Sequence, residues 1–400
     1  MKYKQFWTER KLVFLSLHLM VLTLFFSTFL TGNKPIVCKY QGTWYFPAYQ
    51  TDLIQGSNLA ADLQRLGQMD YRKLKYEFSI WPLFKNDATK LNLANAWLSP
   101  GTLSKDKIFY SLGTYDLGRD LFSGCVVGLS RSLWLSLISI LLAAFAGIMI
   151  GSFSVYQTHR MPLISVGSGI FMLISCLILV LLGFVFVEMP TASLVHYILL
   201  AGYVCFFGLA LLLIDKNPKC RFSLDRISLG YVEIMKSIPA LLFLLIMVQI
   251  FIKPGSLILS LILAFLYTPI IVKYSRTYTY KIISEPFLDA LAVSGAGPFR
   301  IYLKHVLPKV SLDIFPVLTF GVANIILLES SLSFLGLGLP IEDISLGNIM
   351  SSARTNPSAW WAVLFPGLIV FWLVTTLNGL GAWLSKRKDA IWVQQITSNS

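Results

Sequence analysis

The sequence predicts an all-α integral membrane protein, a polytopic bundle of about eight transmembrane helices. Three observations carry this. The 400-residue chain is 56% hydrophobic and only 13% charged, with a mean hydropathy of +0.68; soluble chains carry about 25% charged residues. Eight apolar runs reach or approach membrane-spanning length. Lys and Arg sit beside those runs with a strong bias to one side.

The runs are taken in chain order. Leu12 to Leu30 follows Lys2, Lys4, Arg10 and Lys11. It is too long for the apolar part of a cleaved leader, and Thr31-Gly32-Asn33-Lys34-Pro35 is a poor cleavage site, so it is expected to be a signal anchor. Leu133 to Tyr156, Leu163 to Val187, Ala192 to Ile214, Ile238 to Ile252, Ser256 to Val272, Ile314 to Gly336 and Trp361 to Leu384 complete the set. Eight crossings put both termini on one side. The segments this topology places inside carry 19 Lys and Arg, whereas the short outer loops carry two, Lys253 and Arg354; both termini are therefore expected in the cytoplasm.

The resulting organisation has an N-terminal tail and first helix (1–31), an outer segment (32–132) and a block of helices (133–272). An inner loop (273–311), the last two helices (312–385) and a cytoplasmic tail (386–400) follow. The outer segment, with Trp44, Trp81 and Trp97, is long enough for a small irregular lid. The net charge of +13 is spread beside the spans with no tract of five basic residues, so nucleic acid is not an expected partner and membrane lipid is. The five cysteines form no CxxC pair or metal-ligand spacing. Cys38 and Cys125 share the outer side, which permits a disulfide without requiring one. The histidines are scattered, and no catalytic, cofactor or metal cluster is legible.

The inner loop is helical in pattern and too polar to span. Ser284-Glu285-Pro286 predicts a helix start with Ser284 as N-cap. The helix runs to about Ser294, where Gly295 supplies the positive φ of a C-terminal turn. Ala296-Gly297-Pro298 turns the chain into a second segment, Phe299 to Val306, expected to close at Leu307-Pro308.

These residues resemble a known family. Asp289-Ala290-Leu291, Gly295 and His305-Val306-Leu307-Pro308 are similar to the EAA loop of ATP-binding-cassette (ABC) importer permeases. Gly113-Thr114-Tyr115-Asp116-Leu117-Gly118-Arg119-Asp120 resembles the GTDxxGRD element of dipeptide and oligopeptide permeases. Leu328 to Gly338 resembles their LLExxLSFLGLG element, Ser237-Ile238-Pro239 their SIP, and Trp44-Tyr45-Phe46-Pro47 looks most like the microcin C type subgroup. Asp289 replaces the usual Glu, and Leu291 the second Ala.

The resemblance implies a type I importer permease with a family core of six helices, so the two runs within about 157–222 would be an added pair. It implies the C-type subunit of a heterodimer in a bacterial inner membrane, forming half a pore for peptides or peptide-like solutes. Its partners would be a homologous second permease, one or two cytoplasmic ATPases carrying ATP and Mg, and an extracytoplasmic binding protein. The chain itself has no GxxxxGK[ST] motif and would not be an enzyme. Asp289, Ala290, Leu291, Gly295, His305, Leu307 and Pro308 would couple it to the ATPase. Glu329, Ser333, Asp116, Arg119 and Asp120 would belong to the outer face or translocation path.

Several residues keep alternatives open. Glu329 is the one acid well inside an apolar run, and it lies near the outer interface; path lining, a structural hydrogen bond and proton coupling are all readings of it. Asp116, Arg119 and Asp120 could instead form local pairs on a short helix. Trp360, Trp361 and Trp383 read as interfacial anchors. An ion-gradient-driven secondary transporter is the alternative function, although the chain lacks obvious inverted halves.

Overall fold

The computed structural model describes residues 2–32, 34–48, 71, 74, 76–84, 86, 88–104, 108–160, 164–165, 221–251, 255–340 and 343–398. Helices dominate. α1 (Lys2–Leu30) and α2 (Leu121–Arg160) are followed by α3 (Leu224–Ser237), α4 (Ala240–Ile250), α5 (Ser256–Ile283), α6 (Phe287–Val293) and α7 (Pro298–Ile301). After a π turn come α8 (Leu307–Phe334), α9 (Leu346–Ser352) and α10 (Trp361–Ser398). Five helical stretches among the described residues are long and apolar enough to cross a membrane, or six if the broken pair α3 and α4 is one span. The chain is a multi-pass membrane protein.

Several sequence expectations need correction. The run Ile238 to Ile252 is not a span by itself. Pro239 stands before α4, whose 11 residues cover about 16 Å at about 1.5 Å per residue, well short of a core of about 30 Å. Helix α2 begins at Leu121, not Leu133, so the last dozen residues assigned to the outer segment are helical. The added runs 163–187 and 192–214 lie outside the described residues except for Ile164–Ser165, which pairs with Arg221–Phe222.

The described residues form two compact units. The first comprises Met1–Phe145, Ile238–Thr268 and Phe315–Ser400. Here the outer segment is more regular than its sequence suggests. β1 (Val37–Tyr40) is flanked by β2 (Thr43–Tyr45) and β3 (Phe78–Ile80) in one antiparallel sheet, and β4 (Thr102–Leu103) pairs with β5 (Phe109–Tyr110). Cys38 is buried beneath the sheet with Tyr71, whereas Cys125 is buried among Tyr115, Leu121 and Ile349. Both thiols are free, and burial pushes the Cys38 thiol up to about 11.

Helix α1 joins the bundle by packing. The Phe14 and Trp383 rings meet edge to face at 5.2 Å, and the Ser130 hydroxyl on α2 donates to the Leu24 carbonyl at 3.2 Å. Gly321 on α8 lets Ile140 and Tyr267 approach to 2.5 and 2.7 Å of where a Cβ would stand; small residues permit such approach where lipid supplies no hydrophobic drive. Trp361 is not an interfacial anchor. Its side chain is buried and its Nε1 donates to the Thr114 carbonyl at 2.9 Å, tying α10 to the outer segment. Trp360, its neighbour, is exposed.

The second unit comprises Ala146–Ser237 and Pro269–Ile314. Gly151 on α2 brings α5 close, because a Cβ there would meet the Val272 carbonyl at 2.6 Å. Asp225 on α3 accepts from Arg276 Nε at 2.8 Å and from the Tyr280 hydroxyl at 2.6 Å on α5. Tyr302 donates to or accepts from Ser152 at 2.9 Å, and the Tyr156 hydroxyl donates to the Pro298 carbonyl at 3.0 Å. The inner loop is therefore bonded to the helices that carry it.

Candidate functional site

The inner loop forms the first candidate site. Ser284 does not cap α6: its hydroxyl donates back to the Lys281 carbonyl at 2.8 Å, and Pro286 occupies the cap position. Proline costs nothing there because the first helical amides are unpartnered anyway. The C-terminus follows expectation in detail. Gly295 has φ +84°, its amide donates to the Ala292 carbonyl at 3.1 Å, and the Ala296 amide donates to Leu291 at 3.2 Å. That pair of bonds is a Schellman turn, which satisfies orphan carbonyls and stiffens the helix end.

The second segment does not close at Leu307-Pro308. It runs from α7 through a π turn at Tyr302–Val306 directly into α8. The Leu307 amide bonds the Tyr302 carbonyl five residues back. The widened turn absorbs Pro308, which has no amide to contribute and would crowd an ordinary helical turn. A break between loop and span thus becomes a continuous helix.

Asp289 and Ala290 are exposed on α6, and Leu291 is half-buried. Asp289 is not simply solvated: its carboxylate pairs with Arg160 at the end of α2. His305 and Leu307 are half-buried and Pro308 is exposed. The loop also bares apolar side chains, with Val293 89% and Phe299 58% exposed.

The second cluster surrounds Glu329 in the first unit. The residue is 1% exposed. Ser132 on α2 donates to its Oε2 at 3.0 Å, Ser333 to its Oε1 at 2.9 Å, and Ser330 to Oε2 at 3.4 Å. A buried carboxylate needs such donors, since water is absent. Gly347 and Gly338 make the space, as a Cβ at either would overlap Ser333. The loop after α8 is held by Asn348, whose Nδ2 donates to the Leu339, Pro340 and Asp343 carbonyls at 3.1, 3.2 and 2.9 Å. Glu329 and Ser333 are thus brought together by hydrogen bonding. Replacing Glu329 by Leu is expected to lower stability by about 1–3 kcal/mol through stranded hydroxyls, and by Gln less than about 1 kcal/mol. Thermal unfolding of the two detergent-solubilised variants checks this, and equal losses would count against it.

Asp116, Arg119 and Asp120 form no ion pair with one another among the described residues. Asp116 begins a 3-10 turn distorted by Leu117 (φ +57°). Asp120 is buried and accepts from the Ser123 amide at 2.9 Å and its hydroxyl at 2.5 Å, capping α2; burial raises its carboxyl above the usual range. Gly118 (φ +71°) is forced, because a Cβ would stand 1.8 Å from the Asn92 carbonyl oxygen. Sequence reasoning missed Thr114, whose Oγ1 donates to the Asn95 carbonyl at 2.6 Å and accepts from the Leu98 amide at 2.7 Å. It also missed Ser132 as a partner of Glu329 and Arg160 as a partner of Asp289. Nothing local marks these residues, because their partners are distant in sequence.

Comparison with known proteins bears on this architecture. Residues 219–390 match the model of the binding-protein-dependent transport system inner membrane component. A putative peptide permease protein of Brucella ovis is 34% identical over 169 residues, 41% of this chain and 55% of the relative. A putative peptide transport system permease protein of Brucella suis is 34% identical over 128 residues, 32% of this chain and 43% of the relative. A dipeptide transport system permease protein, DppC, of Haemophilus influenzae is 27% identical over 306 residues, 76% of this chain and 80% of the relative. The chain spans about half the length of the Brucella relatives it matches. With its apolar spanning helices and this match over residues 219–390, the chain is similar to the binding-protein-dependent transport system inner membrane components.

Proposed function

We propose that the chain is one of two permease subunits of an ATP-driven importer for peptides or peptide-like solutes, and forms half of the translocation path. The observation that carries the proposal is the inner loop: a short helix closed by a rigid Gly295 turn, followed by a helix continuous with a span, with Val293 and Phe299 bare. Exposed apolar side chains on a stiff projection mark a docking surface. The chain carries no phosphate-cradling GxxxxGK[ST] loop, so the energy is supplied by a cytoplasmic ATPase that binds ATP and Mg.

In this reading the ATPase grips α6, the helix that carries Asp289, Ala290 and Leu291. His305, Leu307 and Pro308 carry its movement into α8. A homologous second permease completes the path, and an extracytoplasmic binding protein delivers solute to the outer face that includes Asp116, Arg119 and Asp120. The protein sits in a bacterial inner membrane with both termini in the cytoplasm. The peptide class rests on the names of the relatives.

Co-purification tests the proposal. The tagged wild-type chain, extracted from membranes, is expected to bring down an ATPase and a second permease, identified by mass spectrometry. The Val293→Asp, Phe299→Asp double variant is expected to keep the permease and lose at least about 90% of the ATPase, because a buried, unpaired charge opposes docking. A wild-type chain that purifies without an ATPase rejects the reading.

A further inference from the structure

Arg160 is the last residue of α2, and its guanidinium grips two other elements at once. Nη1 pairs with the Asp289 carboxylate on α6, and Nη2 donates to the Ile283 carbonyl at 2.7 Å. Ile283 ends α5, so its carbonyl is one of the orphans of a helix C-terminus, where a cation is favoured. The planar guanidinium offers donors in a fixed fork, which a lysine could not do in the same geometry. From the α8 side, Lys309 pairs with Glu285 and lies 5.1 Å from the Phe287 ring centroid. The coupling helix is therefore held between two cations of the helices that carry it.

We infer that Arg160 is a positioning residue for coupling: its fork on Asp289 and Ile283 makes α2 follow every displacement of α6. Asp289 is then engaged inward, on this chain's own helix, rather than on the ATPase. The inference deepens the proposed function and rests on it. Two features favour transmission over stability. The pair is partly solvated, with side chains 30% and 66% exposed, and such pairs add little to folding. Yet it joins residues 129 apart in sequence, and α2 is one uninterrupted helix of 40 residues. A link of that kind fixes where a helix goes rather than whether it forms.

The test uses the assembled importer in proteoliposomes, with radiolabelled alanine dipeptide and tripeptide as probes. Recovered ATPase, ATP hydrolysis and uptake per ATP are the readouts. Arg160→Gln is expected to retain the ATPase and hydrolysis within about twofold while uptake per ATP falls at least about fivefold, since binding and coupling are separable quantities. Asp289→Arg is expected to lose coupling likewise. Combining Arg160→Glu with Asp289→Arg restores the pair with its charges exchanged, and is expected to recover more than about half of the lost uptake. Unchanged uptake per ATP in Arg160→Gln overturns the inference and leaves the importer reading intact. So does loss of the ATPase in Asp289→Arg that the exchanged pair does not restore, because Asp289 then acts on the ATPase directly. A wild-type chain that assembles with no ATPase removes the importer reading and the inference together.

Discussion

Gly347→Ala is expected to destabilise the first unit by about 3 kcal/mol or more, the upper part of the range for overpacking. A Cβ at this position would stand 2.5 Å from the Ser330 carbonyl oxygen, 2.5 Å from the Ser333 Cβ and 3.1 Å from the Phe334 amide. Two of these neighbours are backbone atoms of α8, which cannot swing aside as a flexible side chain could. Relief requires α9 and α8 to move apart. That movement displaces Ser333 from Glu329, whose Oε1 it bonds at 2.9 Å, and a buried carboxylate deprived of a donor adds its own cost. Thermal unfolding in detergent measures the loss. The control is Gly230→Ala on α3, where a Cβ would meet nothing within 4 Å and helix propensity favours alanine by up to about 1 kcal/mol. A Gly347→Ala protein that melts with the wild type would show that α8 and α9 are not in contact as described.

Gly295→Pro is expected to abolish import while leaving the melting temperature near that of the wild type. The residue has φ +84°, whereas proline is fixed near −65°, so the turn cannot form. Its amide, which donates to Ala292 at 3.1 Å, is lost as well. Because the loop is exposed and a Cβ at 295 would meet nothing within 4 Å, the damage stays local. Gly295→Ala is correspondingly mild, with a left-handed penalty of about 1–2 kcal/mol and no clash. Peptide uptake and ATPase recovery distinguish the two variants; full uptake by the proline variant would remove the turn from the coupling role.

Much of this protein is legible in its sequence because the relevant physics is local. Apolar runs become helices long enough to span, since a bilayer leaves the backbone no partner but itself. The Gly295 turn is legible because only a residue without a Cβ enters that conformation cheaply. Ser237-Ile238-Pro239 is legible as a motif, but the helix break there and the shortness of α4 are not. Likewise Pro308 read as a terminator because the sequence does not reveal the π turn that absorbs it.

The sequence by itself determined the membrane class, the spanning helices and the stiff inner loop, each a property of neighbouring residues. Only the tertiary structure decided how the charges are used. Glu329 faces the hydroxyl of Ser132 across 197 positions, Asp289 meets Arg160 across 129, and Asp120 turns to cap α2 rather than to pair with Arg119. The physical reason is that a charge removed from water must find a partner wherever the packed chain supplies one, and that position is set by helix packing, which no local pattern records.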